Sequence, residues 1–371
     1  MKLSAGDWVE VRSKEEILRT LDKNGRLEEL PFTPQMFNYC GKRFKVRARA
    51  HKTCDTVSNT GGRRLPDGIH LDLRCDGQAY GGCQAACLLF WKHSWLEPVR
   101  DGGGAEKVLE GRASGAPAEA VDCTEQDVWE GTHVQGQRPG EEARYICQAT
   151  QLPNYTTLLH WWDVRQYIED YTSGNNSLWR LLSGLTYQAY NHGTQAWRNK
   201  IGRPARWLYD RVQSLWRGIP YPNKRGRVPD TQRTPTSNLN LQAGDLVRVK
   251  SHEEILATIH PGGLNRGLLF DKELVPFCGK TYRVKARLER FIDEKTGEMI
   301  SLKMPAVLLD DVWCQSRYSE CKMFCPRAIY SWWREVWLER VSEIASRSEI
   351  VAETLTNEPQ HRPVTVSKTA N

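Results

Sequence analysis

Apolar and polar positions alternate early in the chain. Val9 and Val11 alternate with Glu10 and Arg12 behind a Gly6-Asp7 pair, which predicts a turn feeding a short strand. Ser13 with Glu16 three residues later has the form of a capping box. The helix it opens would bury Ile17, Leu18 and Leu21 on one face. Phe44, Val46, Ala48 and Ala50 then alternate with Arg43, Lys45, Arg47 and Arg49, a second strand. Another apolar stretch, Ile69 to Leu73, precedes Cys75, and the run from Cys83 to about Leu96 predicts a helix. From about Thr157 to Leu215 the spacing of Leu158, Trp162, Tyr167, Ile168, Trp179, Leu182, Leu185, Trp207 and Val212 predicts a helical, aromatic-rich insert.

The same pattern returns. Gly244-Asp245-Leu246-Val247-Arg248-Val249 repeats the opening, Ser251 and Glu254 repeat the capping box, and Phe277-Cys278-Gly279-Lys280 echoes Tyr39-Cys40-Gly41-Lys42. After a divergent middle, Trp337-Leu338-Glu339 matches Trp95-Leu96-Glu97. The expected fold is α+β, a tandem repeat of a small β-rich module with a C-terminal helix; the Gly-Asp-x-Val-x-Val opening resembles that of SH3-like barrels. The expected organisation is a first module over 1–100 and a linker over 101–156 carrying Cys123 and Cys147. The helical insert follows over 157–217, a polar linker over 218–240, the second module over 241–342 and a disordered tail over 343–371.

Composition changes this picture in one respect. At 371 residues, 39% hydrophobic and 26% charged, the chain has ordinary material for packed cores, and a net charge of +7 permits an anionic partner without requiring one. The N-terminus lacks an apolar signal region and no run reaches the ~18 apolar residues that span a bilayer. The expectation is therefore a cytoplasmic protein with no membrane partner. In a reducing compartment eleven cysteines are better read as metal ligands or reactive thiols than as disulfides.

Aligning the two copies pairs Cys40 with Cys278, Cys75 with Cys314, Cys83 with Cys321 and Cys87 with Cys325, although the residues between them differ. Four thiolates suit a cubane iron–sulfur cluster and also tetrahedral zinc. On a helix, Cys83 and Cys87 would point the same way, and Gly41 after Cys40 would let backbone approach a cluster. Three residues rather than two separate the close cysteine pair, which tilts the reading toward a 4Fe–4S cluster, with zinc as the alternative. The remaining Cys54, Cys123 and Cys147 could form an open three-thiolate site, with Asp55, His51 and His70 moving protons or orienting ligands. Cys54 could also act alone as a nucleophile activated by His51.

The functional expectation is a metal–thiolate protein, with two structural or electron-relay four-cysteine centres, acting on an unknown small molecule or electron-transfer partner. The alternative is a zinc-stabilised tandem SH3-like binding module contacting nucleic acid or a protein partner. The basic strand 42–52 and the run Lys224-Arg225-Gly226-Arg227 leave nucleic acid as a less favoured partner. Fourteen tryptophans are read chiefly as core, with a stacking surface for an aromatic ligand as the other use.

Overall fold

The computed structural model describes residues 2–99, 123–136, 142–197, 202–215, 218–319 and 322–341. Within these the chain is mixed α and β, and every strand pairing is antiparallel. In the N-terminal half, Leu88–Lys92, Gly68–Arg74, Arg43–Arg49, Trp8–Val11 and Leu96–Pro98 lie side by side in that order. In the C-terminal half the order is Tyr330–Trp333, Met299–Trp313, Thr281–Ile292, Leu246–Val249 and Leu338–Arg340. Register agrees as well as order. Val9 faces Phe44 and Val247 faces Tyr282, while Val11 faces Leu96 and Val249 faces Leu338.

Local signals place these elements. Ser13 caps helix α1 (Lys14–Leu18) by accepting from the Glu16 amide, and the Glu16 carboxylate returns the bond to the Ser13 amide at 3.0 Å. α2 (Glu125–Glu130), α3 (Arg165–Thr172), α4 (Leu178–Trp197) and α5 (Gly202–Leu215) follow, and then α6 (His252–Leu256) repeats the device with Ser251 and Glu254. Each half is centred on buried aromatic rings. Trp95 and Trp337 have no exposed surface, and each donates its indole N–H at 3.0 Å, to Thr20 and Thr258. Phe32 meets Trp95 edge-on at 5.2 Å, as Phe270 meets Trp337.

Three expectations need correction. The segment from Cys83 to Leu96 is an irregular loop, then the strand Leu88–Lys92, then a 3-10 turn over His93–Trp95. A continuous apolar run has neither period, and Leu88 to Trp91 is buried on both faces although its strand is at the edge of the sheet. Residues 142–156 are no mere linker. Tyr145 N–H bonds Gly297 O at 2.8 Å, and the buried Gln148 side chain holds Phe90 N–H, Phe90 O and Pro31 O. The insert opens with a strand, Thr157–Leu159, which pairs with Gly62–Arg64 before the helices begin. Residues 101–122 and 137–141 of the proposed linker 101–156, and the tail, lie outside the described residues.

Candidate metal–thiolate site

The structure regroups the thiols. Cys75 follows one strand of the first sheet and Cys87 precedes the next, and the Cys75 amide donates to Cys87 O at 2.8 Å. Between them the chain turns through Gly77 at φ +73°. A Cβ there would lie 1.9 Å from the Cys83 carbonyl oxygen, so glycine is what allows the loop to close. The fourth thiol is Cys147, from the ordered 142–156 segment. Cys75, Cys83, Cys87 and Cys147 line one cavity of about 40 Å³, together with Tyr80 and Arg327.

Cys75, Cys87 and Cys147 are held neutral. Burial, reinforced by Cys147 and Cys83, pushes Cys75 up to about 12, and burial pushes Cys147 up to about 11. Burial also raises Cys87 well above the usual thiol range. Acting against burial, the backbone N–H of Gly77 points at the Cys75 sulfur and those of Thr150 and Ala149 point at Cys147. Amides aimed at sulfur favour the thiolate. The Tyr80 hydroxyl beside them is buried without a partner.

The second set lies between the two halves. Cys54 ends the strand Lys52–Cys54 in the N-terminal half, while Cys314 follows Met299–Trp313 and Cys325 precedes Tyr330–Trp333 in the C-terminal half. The Cys54 amide donates to Cys325 Sγ at 3.1 Å. The Cys325 thiol hydrogen bond draws Cys54 down to about 6 against burial, helped by Arg327 and Lys322. Its partner Cys325 is held well above the usual range by that same bond and by burial. Cys314 is pushed up to about 12 by burial, with Glu273 and Cys54 adding to it. The pair therefore gives up one proton readily and keeps the other.

Backbone geometry repeats across the two loops although sequence does not. Two residues after the first cysteine, Gly77 and Ser316 are both left-handed, at φ +73° and +49°, and each points its N–H at that cysteine. Just before the last cysteine, Ala86 and Phe324 are left-handed too, at +48° and +60°. A bulky residue in that region is strained, and such strain persists only where the surroundings impose it.

Arg327 stands between the two sets. It is 1% exposed, lines the first cavity, and donates to Thr56 at 2.7 Å and Glu294 at 2.9 Å, with Nε buried and unpartnered. Its charge bears on both Cys54 and Cys87. Arg74 ties the loops together, donating to Ala86 O at 3.0 Å and Ala328 O at 2.9 Å.

The other expected site residues fall elsewhere. Cys40 and Cys278 each follow a 3-10 turn, and neither lines the cavity of the four thiols. Glu15 and Lys14 are the charges beside Cys40, and Cys278 is shifted by burial and its own backbone. Gly41 is left-handed at φ +70°, and nothing lies within 4 Å of a Cβ built there. Cys54, Cys123 and Cys147 do not converge: Cys54 meets Cys325, Cys147 joins Cys75, and Cys123 sits near Gly25 and Asp127. Cys321 lies outside the described residues.

His51 Nε2 lies 3.4 Å from Asp170 Oδ1. His70 lies in the sheet, its Nδ1 2.9 Å from Leu89 O and its ring 4.5 Å from Phe90; burial lowers it to about 3, which fixes a neutral imidazole. Asp55 accepts from Val57, Ser58, Thr60 and Arg63, a turn-closing role. The basic strand is largely engaged, with Arg43 on Glu10 at 2.8 Å and Arg47 on Asp72 at 2.7 Å.

Sequence reasoning missed two features. Lys52, 3% exposed, bonds the fully buried Asp170 at 2.5 Å, and burial lowers its pKa. The surplus cysteines Cys54 and Cys147 were the available signal for the second, since each aligned group of three lacks a nearby fourth. Among the described residues no three His, Cys, Asp or Glu side chains meet at a point where one metal ion would sit. No protein-family model matches the chain, and comparison with curated proteins and with solved structures finds no match either. No helix among the described residues is long and apolar enough to cross a membrane.

Proposed function

We propose that this chain is a metal–thiolate protein whose centres are built on Cys75, Cys83, Cys87 and Cys147 and on Cys54, Cys314 and Cys325. Cys321 precedes Cys325 by the same four residues that separate Cys83 from Cys87, which makes it a further candidate by spacing. The observation that carries the reading is the first set: four thiols on one cavity, with amides aimed at Cys75 and Cys147.

The cavity, about 40 Å³ beside all four thiols, admits a metal centre, and the three residues between Cys83 and Cys87 favour iron–sulfur over zinc. Hydrogen bonds to sulfur and a buried cation are also what tune a cluster's potential, and Arg327 supplies the cation. The role that follows is electron relay or structural support, with iron–sulfur as the cofactor and an electron-transfer partner or small molecule at the surface. The matching sheet order of the halves further supports two copies of one SH3-like module.

Anaerobic purification tests this. Iron, sulfide and zinc are measured beside the visible spectrum. Brown protein with iron and sulfide supports the cluster reading; colourless protein with stoichiometric zinc assigns the same thiols to zinc. Protein that is folded, colourless and metal-free under reducing, metal-replete expression sinks both.

A further inference from the structure

Helix α2 covers a face of the N-terminal half whose counterpart in the C-terminal half is an open groove. The buried Val128 of α2 sits against Gly25, its Cα 2.9 Å from where a Cβ at Gly25 would lie. Gly131, which caps the helix, would place a Cβ 2.4 Å from Asn24 O. At the helix start Glu125 pairs with Lys14, and Asp127 pairs with Lys23 at 3.4 Å. Counted from the shared capping boxes at Ser13 and Ser251, Lys14, Lys23, Asn24 and Gly25 correspond to His252, Pro261, Gly262 and Gly263. All four counterparts line one groove of about 510 Å³. The paired glycines share a left-handed backbone, at φ +70° and +84°. A Cβ at Gly263 would meet Leu269 and Phe270 of its own half, where Gly25 meets a separate helix. Leu269, also in the groove, is 48% exposed.

The charge of the groove fits a helix like α2. Arg206 of α5, then Lys224, Arg225 and Lys272, line it against one carboxylate, Asp271. Lys224 is shared with Glu253 at 2.6 Å, and Arg225 is exposed. α2 carries Glu125, Asp127 and Glu130 and no basic residue. A nucleic-acid strand would also meet these cations, but such grooves present rings for bases to stack on. Here Tyr221 and Phe270 are buried, which leaves their faces covered.

We propose that this groove docks a short amphipathic helix of a partner protein. The helix has an acidic first turn and an apolar side chain that inserts beside Gly263 as Val128 does beside Gly25. Recognition of a helix by a groove rests on such anchors. No cysteine lines the groove, so the proposal does not depend on the metal–thiolate reading.

Fluorescence polarisation of a fluorescein-labelled peptide of residues 124–131, titrated with the full chain, tests it. Wild type should bind the peptide saturably at one site. The peptide with Val128→Asp should bind roughly 10-fold more weakly or worse, the cost of losing one buried apolar side chain. In the protein, Arg225→Glu should weaken binding by roughly 2- to 5-fold, the range of an exposed ion pair. Leu269→Asp, a second exposed position, should also weaken it, whereas Lys23→Glu in the N-terminal half should leave it unchanged. Absence of saturable binding to the full chain overturns the proposal, whether the groove is closed or taken by residues of the chain itself. Binding that responds to Lys23→Glu but not to Arg225→Glu or Leu269→Asp overturns it too, since the peptide would then be displacing α2. So does Arg225-dependent binding of a single-stranded oligothymidylate without peptide binding, which would assign the groove to nucleic acid.

Discussion

The two thiol loops share a backbone and differ in charge. Both turn left-handed two residues after the first cysteine and again just before the last, and both aim an amide at the first sulfur. In the first loop every shifted thiol is raised; in the second Cys54 is drawn down to about 6. The cause is where the fourth partner comes from. Cys147 arrives on a segment packed against the first sheet, in surroundings dominated by burial, whereas Cys54 arrives from the opposite half and meets Cys325 beside Arg327. Equal backbones thus make one set whose shifted thiols keep their protons and one that already offers a thiolate.

The largest expected effect separates the regrouped thiols from the aligned ones. A thiolate-bound metal contributes on the order of 10 kcal/mol at neutral pH, comparable to a whole domain's stability. Cys147→Ser should give metal-poor or insoluble protein, and Cys40→Ser should keep full metal content, both read by metal analysis of the soluble fraction. The opposite result would restore the grouping by alignment.

Next comes the loop backbone. Gly77→Ala places a Cβ against a backbone oxygen that cannot swing away, so it should cost more than the ~1–3 kcal/mol of left-handed strain alone. Ser316 already carries a side chain at φ +49°, and Ser316→Gly should change stability by at most about 1 kcal/mol. Denaturant midpoints of the pair decide whether only the first loop needs glycine.

Titration sharpens the charge difference. Cys75 and Cys147 are raised in the folded state, so their contribution is present below the unfolded thiol pKa of about 8.5 and is lost as pH rises above it. Cys54 is lowered, so its contribution is present above about 8.5 and is lost as pH falls through about 6. In metal-free protein, Cys75→Ser should flatten the alkaline loss of stability, and Cys54→Ser should flatten the loss toward pH 6. Matching pH profiles for the two variants would erase the contrast.

The smallest effect tests equivalence of the two cores. Thr20→Val and Thr258→Val each remove the acceptor of one buried indole N–H and should each cost about 1–3 kcal/mol. Thermal melts that agree within ~0.5 kcal/mol would support two copies of one unit; a large inequality would argue that the halves only look alike.

Sequence alone determined what is local. The capping boxes at Ser13 and Ser251, the alternating strand from Arg43 and the strand from Thr281 follow from residue order over a few positions, and all are present. The matching of Cys75 and Cys87 with Cys314 and Cys325 also came from residue order, while Cys321, aligned with Cys83, lies outside the described residues. Tertiary structure decided the rest. The run Leu88 to Trp91 carries no period, because a strand buried on both faces needs none, and only the neighbouring strand Gly68–Arg74 makes it β. Cys40 lies close to Cys75 in pattern but ends a turn with local partners, while Cys147 and Cys54 reach their sets across 60 and 271 positions, from Cys87 and to Cys325. Contacts of that span depend on how whole sheets and segments pack, and no spacing rule in the chain encodes them.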